Sequence, residues 1–191
     1  MPRRFSFRPA LTIKGRRFQG LRGFSGKPFH PPLTDVPIGA YMLAAAGDLL
    51  SFIWSDASWS HEMFHAATWV LIGGYVVALG AALTGFMDWL RSAPKGTQAR
   101  RTASAHGITM VTVTVIVIVD NIVRLGRWDE PSTPLPVLIL TLAAAALTFV
   151  GASIGGSLVF DYGFNVKTAG DSPAWHESEI DLMPGQKPPA S

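Results

Sequence analysis

The residues able to do chemistry in this chain are few, and they fall in two groups along it. His30, Asp35, Asp88, Arg91, His106 and Asp161 stand at one set of borders of long apolar stretches. Asp48, His61, His65, Asp120, Asn121 and Arg124 stand towards the other. Imidazole and carboxylate together suit zinc or iron, and a pair of imidazoles suits haem. The chain has no cysteine, which removes disulfides, cysteine-ligated iron–sulfur clusters, thiolate zinc and a thiol nucleophile from the chemistry of this chain. It also lacks a glycine loop of the nucleotide-binding kind and a recognisable Ser/His/Asp order.

Three readings of these residues compete. In the first, haem b lies between two histidines of a four-helix bundle. Only His30 and His106 then stand near two different apolar stretches on the same side; His65 and His106 begin neighbouring stretches at opposite borders, a bilayer thickness apart. In the second, His30, Asp35, Asp88 and His106 form a metal or proton site, with Asp161 nearby. In the third there is no chemistry, and the polar residues fix packing and partner contacts. An aspartate inside a span costs about 2.5–3.5 kcal/mol on insertion scales and normally faces a partner in the bundle interior. Asp48 and Asp120 are such residues, and Arg124, four positions after Asp120, is the expected partner of both. Asp35 is expected just before the first helix, as a cap at its positive dipole end. His61 to His65 reads H-E-M-F-H, the zinc-protease pattern, but it opens an apolar stretch beside a very short loop, with no third ligand or cleft in view.

The elements that must position these residues are transmembrane helices. The chain has 191 residues, 48% apolar and 15% charged, with a mean hydropathy of +0.28, values that suit several spans joined by short loops. Four spans are expected, at Val36 to Trp54, Phe64 to Leu90, Ala103 to Leu125 and Leu135 to Phe160. The third contains V-T-V-T-V-I-V-I-V, which alternates like a strand. It is expected to be helical, because a lone strand among helices would leave its backbone groups unpaired in lipid. The fold class is therefore all-α, an integral membrane four-helix bundle. Residues 1–35 form a basic N-terminal segment, 36–161 the transmembrane domain, and 162–191 an extended tail. No apolar core of a signal peptide follows the first arginines, so the N-terminus is expected to be retained. Fourteen of the sixteen Lys/Arg fall in the two terminal segments and the second-to-third loop, which places both termini in the cytoplasm by the positive-inside rule. The expected partners are the lipid bilayer and other membrane subunits. The basic and aromatic N-terminus is read as resting on anionic headgroups or on a subunit, with no nucleic acid involved.

Four stretches carry a family resemblance: H-P-x-L-T-D-x-P-I-G at His30 to Gly39, G-x-x-D-W at Gly85 to Trp89, His106 after a basic loop, and G-G-x-L-V-F at Gly155 to Phe160. They resemble the "domain of unknown function 2231" family of bacterial membrane proteins, over about Gly26 to Val166. The resemblance implies four spans, a kinship with cytochrome-b-like bundles, and an occasional link to a Rieske-type iron–sulfur domain, which here would be a separate chain. It maps His30, Asp35, Asp88 and His106 onto family motif positions; Asp161-Tyr162-Gly163 departs from the pattern. The expected role is a non-catalytic inner-membrane subunit that anchors or organises a bacterial redox or respiratory complex. The alternatives are a haem-b-binding electron-transfer subunit through His30 and His106, or a small transporter or proton-path protein using Asp48, Asp120 and Arg124.

Overall fold

The computed structural model describes residues 11–166; most of the expected C-terminal tail lies outside them. Four long helices follow one another: α1 (His30–Ile53), α2 (Ser60–Arg91), α3 (Gln98–Leu125) and α4 (Leu135–Phe160). All four are long and apolar enough to cross a membrane, with best-window mean hydropathies of 1.6, 1.9, 2.0 and 2.3, and the described residues form no sheet. The β-branched run in the middle of α3 is helical, as backbone satisfaction in lipid demands. Leu43, Trp69, Val76, Val111, Ile122 and Phe149 are exposed on the outside of the bundle, the face a bilayer would cover.

Three helices begin earlier than hydropathy alone suggests. α1 starts at His30, six residues before the expected border, so Pro31 lies in the first turn while Pro37 lies inside the helix. Proline is tolerated in a first turn because the N–H it lacks has no intrahelical partner there. Pro37 does remove a helical donor, a loss that membrane helices accommodate through their packing. Asp35 is consequently a residue of α1, exposed on its surface. It is not the cap expected from the sequence; the N-cap position is Phe29, with no side-chain cap bond. α3 extends back to Gln98 because Thr97 caps it, its hydroxyl accepting from the Arg100 N–H at 3.2 Å.

The described part of the N-terminal segment is folded against the bundle. A short 3₁₀ turn at Gly20–Arg22 packs on α2, and Arg22 Nη1 donates to Ser92 Oγ at 3.0 Å. Phe18, Phe24 and Phe29 pack in sequence, tilted and then edge to face, with ring centres 5.2 and 6.0 Å apart. Gly23 makes this turn possible: its φ is 80°, and a Cβ there would lie 2.7 Å from the Phe29 nitrogen.

The helices run up-down-up-down in a ring. α1 packs on α2 and α4, and α3 packs on α4 and α2, which sets α1 and α3 on one diagonal. The two hairpins repeat one another. The buried residues Pro37, Tyr41 and Asp48 of α1 recur seventy-six positions later as the buried Val113, Val117 and Arg124 of α3. Leu71, Gly74 and Asp88 of α2 recur seventy positions later as Thr141, Ala144 and Leu158 of α4. The bundle is thus a parallel two-hairpin repeat about an axis along the helices, an arrangement common in membrane proteins built from internal repeats.

Small residues bring the two helices of the first hairpin together, as expected where lipid gives no hydrophobic drive for helix association. A Cβ on Gly74 would meet Ala40 Cβ at 2.5 Å and the Tyr41 ring at 3.2 Å, whereas one on Gly73 would meet nothing within 4 Å. Gly74→Leu should therefore destabilise the bundle by about 1–3 kcal/mol through overpacking, while Gly73→Leu should be near neutral. Thermal unfolding in mild detergent compares the two; equal effects would sink this account of the α1–α2 contact.

Candidate functional site

Two polar layers lie inside the bundle. His30 and Asp48 are eighteen residues apart on α1, about 27 Å at 1.5 Å per residue, close to a hydrocarbon thickness of about 30 Å. The layers therefore stand at opposite borders of the apolar region.

The first layer is built from the N-terminal parts of α1 and α3 and the C-terminal parts of α2 and α4. His30 and His106 meet across the α1–α3 diagonal with ring centres 6.1 Å apart and planes at 78°. His30 Nδ1 is 2.8 Å from the Ala81 carbonyl of α2, and His106 Nδ1 is 2.8 Å from the Gly151 carbonyl of α4. A carbonyl only accepts, so each Nδ1 carries the hydrogen and each Nε2 of the neutral ring keeps a free lone pair. Each ring rests on a glycine one helical turn beyond its carbonyl. A Cβ on Gly85 would lie 2.6 Å from His30 Cε1, and one on Gly155 3.0 Å from His106 Cε1. The repeat thus applies to the complete unit of imidazole, carbonyl and glycine.

The other residues expected with this pair stand apart from it. Asp35 and Asp161 are exposed. Asp88 is buried, with Ser92 Oγ donating to it at 3.4 Å. Among the described residues, no three His, Cys, Asp or Glu side chains converge as a metal site. Arg100 closes the adjoining α2–α3 loop: its guanidinium lies 3.6 Å from the Trp89 ring centre and donates to the Trp89 and Ala93 carbonyls.

The second layer is a fully buried charge cluster. Arg124, Asp48 and Asp120 each have zero exposure. Arg124 forks onto Asp120, through Nε at 3.2 Å and Nη2 at 3.0 Å, and its Nη2 reaches Asp48 at 2.8 Å. The expected triad is therefore present. Sequence reasoning missed the hydroxyls around it. Arg124 Nη1 donates to Thr68 Oγ1 of α2 at 3.1 Å, and Nη2 lies 2.8 Å from Thr141 Oγ1 of α4. Thr133, in the α3–α4 loop, donates to Asp48 Oδ1 at 3.1 Å. The Thr133 N–H donates to Ser51 Oγ at 2.9 Å, and Ser60 Oγ donates to the Ser51 carbonyl at 2.8 Å. All four helices meet at a single guanidinium, and the α3–α4 loop joins them through Asp48 and Ser51.

His61 and His65 hold the same loop from outside. His61 Nδ1 donates to the Glu130 carbonyl at 2.8 Å, and His65 Nε2 to the Trp128 carbonyl at 2.9 Å. His65 also stacks on Trp128 with ring centres 3.7 Å apart. The H-E-x-x-H residues thus give one nitrogen each to backbone of the α3–α4 connection.

Residues 26–168 match the family model described as predicted membrane protein (DUF2231). The chain belongs to the DUF2231 family. No curated protein and no solved structure matches it. Within this DUF2231 chain the matched span begins just before α1 and ends after α4, so it contains both polar layers and both glycines under the histidines. The family establishes a membrane protein and assigns it no activity.

Removing Arg124 leaves two buried carboxylates without their counter-ion, a loss worth about 3–5 kcal/mol. Arg124→Met should destabilise the bundle by that amount. The triple variant Asp48→Leu, Asp120→Leu, Arg124→Met should recover most of it, because well-packed apolar residues commonly replace a buried ion triad without loss. Detergent unfolding measures both; an Arg124→Met protein as stable as wild type would refute the clasp.

Proposed function

We propose that this chain is an integral subunit of a bacterial redox membrane complex, and that it holds a haem b between His30 and His106. The observation carrying the reading is the diagonal histidine pair: two imidazoles with free Nε2 atoms, each fixed by a carbonyl and seated on a glycine. A histidine that ligates a metal almost always donates its other ring N–H to such a partner. The number of donors selects the group. Zinc takes four ligands in structural sites and at least three from protein in catalytic ones, whereas a haem, which brings its own macrocycle, would need only His30 and His106 from this chain. His30 and His106, whose ring centres are 6.1 Å apart, would hold the haem iron through their Nε2 atoms.

When bound, the haem supplies one-electron chemistry. The chain's own contribution is to fix both imidazoles in one tautomer, hold them at one depth, and surround them with apolar helix. In this reading, with the termini on the basic, cytoplasmic side as the positive-inside rule favours, the layer would lie at the cytoplasmic border of the inner membrane. A one-electron carrier needs a donor and an acceptor, and a separate Rieske-type iron–sulfur chain is the partner class implied by the sequence resemblance. The charged residues of the second layer bind one another, which favours an anchoring role for them over transport.

The test is a visible spectrum of protein extracted gently from haem-replete cells with its partners intact. A Soret band that shifts on reduction is expected, lost in His30→Ala and in His106→Ala while helical circular dichroism persists. Gly85→Val, which displaces the His30 ring, should lower haem retention about tenfold or more. A wild-type complex without a Soret band overturns the haem assignment. A chain that runs alone as a monomer in mild detergent overturns the subunit assignment.

A further inference from the structure

The second layer lacks one hydrogen. Thr141 Oγ1 lies 2.7 Å from Asp48 Oδ2, 2.8 Å from Asp120 Oδ2 and 2.9 Å from the Val137 carbonyl. A hydroxyl has a single hydrogen to donate, so at most one of these three acceptors receives it. Arg124 Nη2 cannot fill the gap. Its two hydrogens already face three acceptors, Asp48 Oδ2 at 2.8 Å, Asp120 Oδ2 at 3.0 Å and Thr141 Oγ1 at 2.8 Å, and a hydrogen carried on nitrogen does not supply the one missing between two oxygens. At least one oxygen–oxygen contact below 2.9 Å between a carboxylate and the threonine therefore contains no hydrogen if both aspartates are ionised.

Charge leads to the same place by a separate route. Two carboxylates and one guanidinium sum to one negative charge, in a cluster with zero exposure at membrane depth, where an uncompensated charge is costly. Among the described residues, the charged groups in contact there are Asp48 from α1 and Asp120 and Arg124 from α3; α2 and α4 face the cluster with Thr68 and Thr141. No further cation offsets the excess. One added proton supplies the missing hydrogen and neutralises the cluster at once.

We infer that Asp48 and Asp120 share one proton through the Thr141 hydroxyl, so that this layer is a buried proton-binding site as well as a helix clasp. Arg124 forks onto Asp120 and makes one contact to Asp48, so the resting proton is on Asp48 Oδ2. Asp48 then donates to Thr141 Oγ1, and Thr141 donates to Asp120 Oδ2. The proton moves by a balanced exchange. The Asp48 O–H bond breaks as that hydrogen bonds to Thr141 Oγ1, and the Thr141 O–H bond breaks as its hydrogen bonds to Asp120 Oδ2. No net charge moves out of the cluster.

Infrared difference spectroscopy of the full chain in lipid, prepared in H2O and in D2O at neutral pH, tests this. The wild type should show one isotope-sensitive C=O stretch of a protonated carboxylic acid. Asp48→Asn and Asp120→Asn should each abolish it, because the remaining carboxylate then balances Arg124. Thr141→Val should keep the band and move its frequency, because the acid loses its hydroxyl partner. The inference fails if the wild type lacks the band, if the band survives in either asparagine variant, or if Asp88→Asn removes it, which would assign it to the other buried aspartate.

Discussion

A guanidinium buried at membrane depth constrains everything else in this bundle. Arginine cannot shed its charge, and lipid offers it nothing to bond with. Its five N–H groups must be met by side chains arriving from neighbouring helices. Arg124 takes Asp120 from its own helix, Asp48 from α1, Thr68 from α2 and Thr141 from α4. Directional bonds to three other helices fix their rotation and depth, which van der Waals contact between smooth apolar faces does not. Apolar packing in lipid gains little from burial, since the chain's alternatives are also apolar. The polar layer therefore specifies the register, and glycine and alanine contacts such as Gly74 on Ala40 follow from helices already held at that depth.

The duplicated hairpin explains why such a cluster can sit on the axis at all. Paired positions of α1 and α3 meet there, so one residue type in both copies places like beside like. Two arginines or two aspartates at the Asp48/Arg124 position would repel without relief. The two copies have diverged at that level into a cation and an anion. Around it, Thr68 pairs with Leu138 and Leu71 with Thr141, so each hairpin contributes one hydroxyl from a different turn. The histidine layer kept the same residue in both copies. Neutral imidazoles tolerate proximity, and each is oriented by its own hairpin rather than by its twin.

Much of this was legible in the sequence, for definite reasons. Long apolar runs announce spans because lipid forbids unpaired backbone, and the four helices follow. Asp48, Asp120 and Arg124 declared themselves by being charged where charge is expensive. The His30–His106 pairing followed from depth alone. The misses are equally physical. Threonine scores as nearly neutral in an apolar run, so Thr68, Thr133 and Thr141 gave no signal until their neighbours were known. Asp35 looked like a cap because the proline-rich stretch suggested that the helix had not begun; α1 had begun at His30, since proline suits a helical first turn. The repeat was hidden because its two copies share burial pattern and few residue types, with His30/His106 an exception.

The two layers divide the work that polar groups do inside a membrane. At the clasp, Arg124, Asp48 and Asp120 bond to one another and to the surrounding hydroxyls. At the histidine layer, each imidazole spends one nitrogen on a helix carbonyl and keeps the other. Gly85 and Gly155 sharpen the contrast, because alanine at either position would fill space that the ring now occupies. Glycine within a helix costs about 1 kcal/mol relative to alanine, and here that loss occurs twice, at matching sites, to seat two rings whose Nε2 atoms the hairpins leave free. An arrangement that gives up helix stability at two matching sites leaves two lone pairs at one depth, and the proposed haem site rests on that feature.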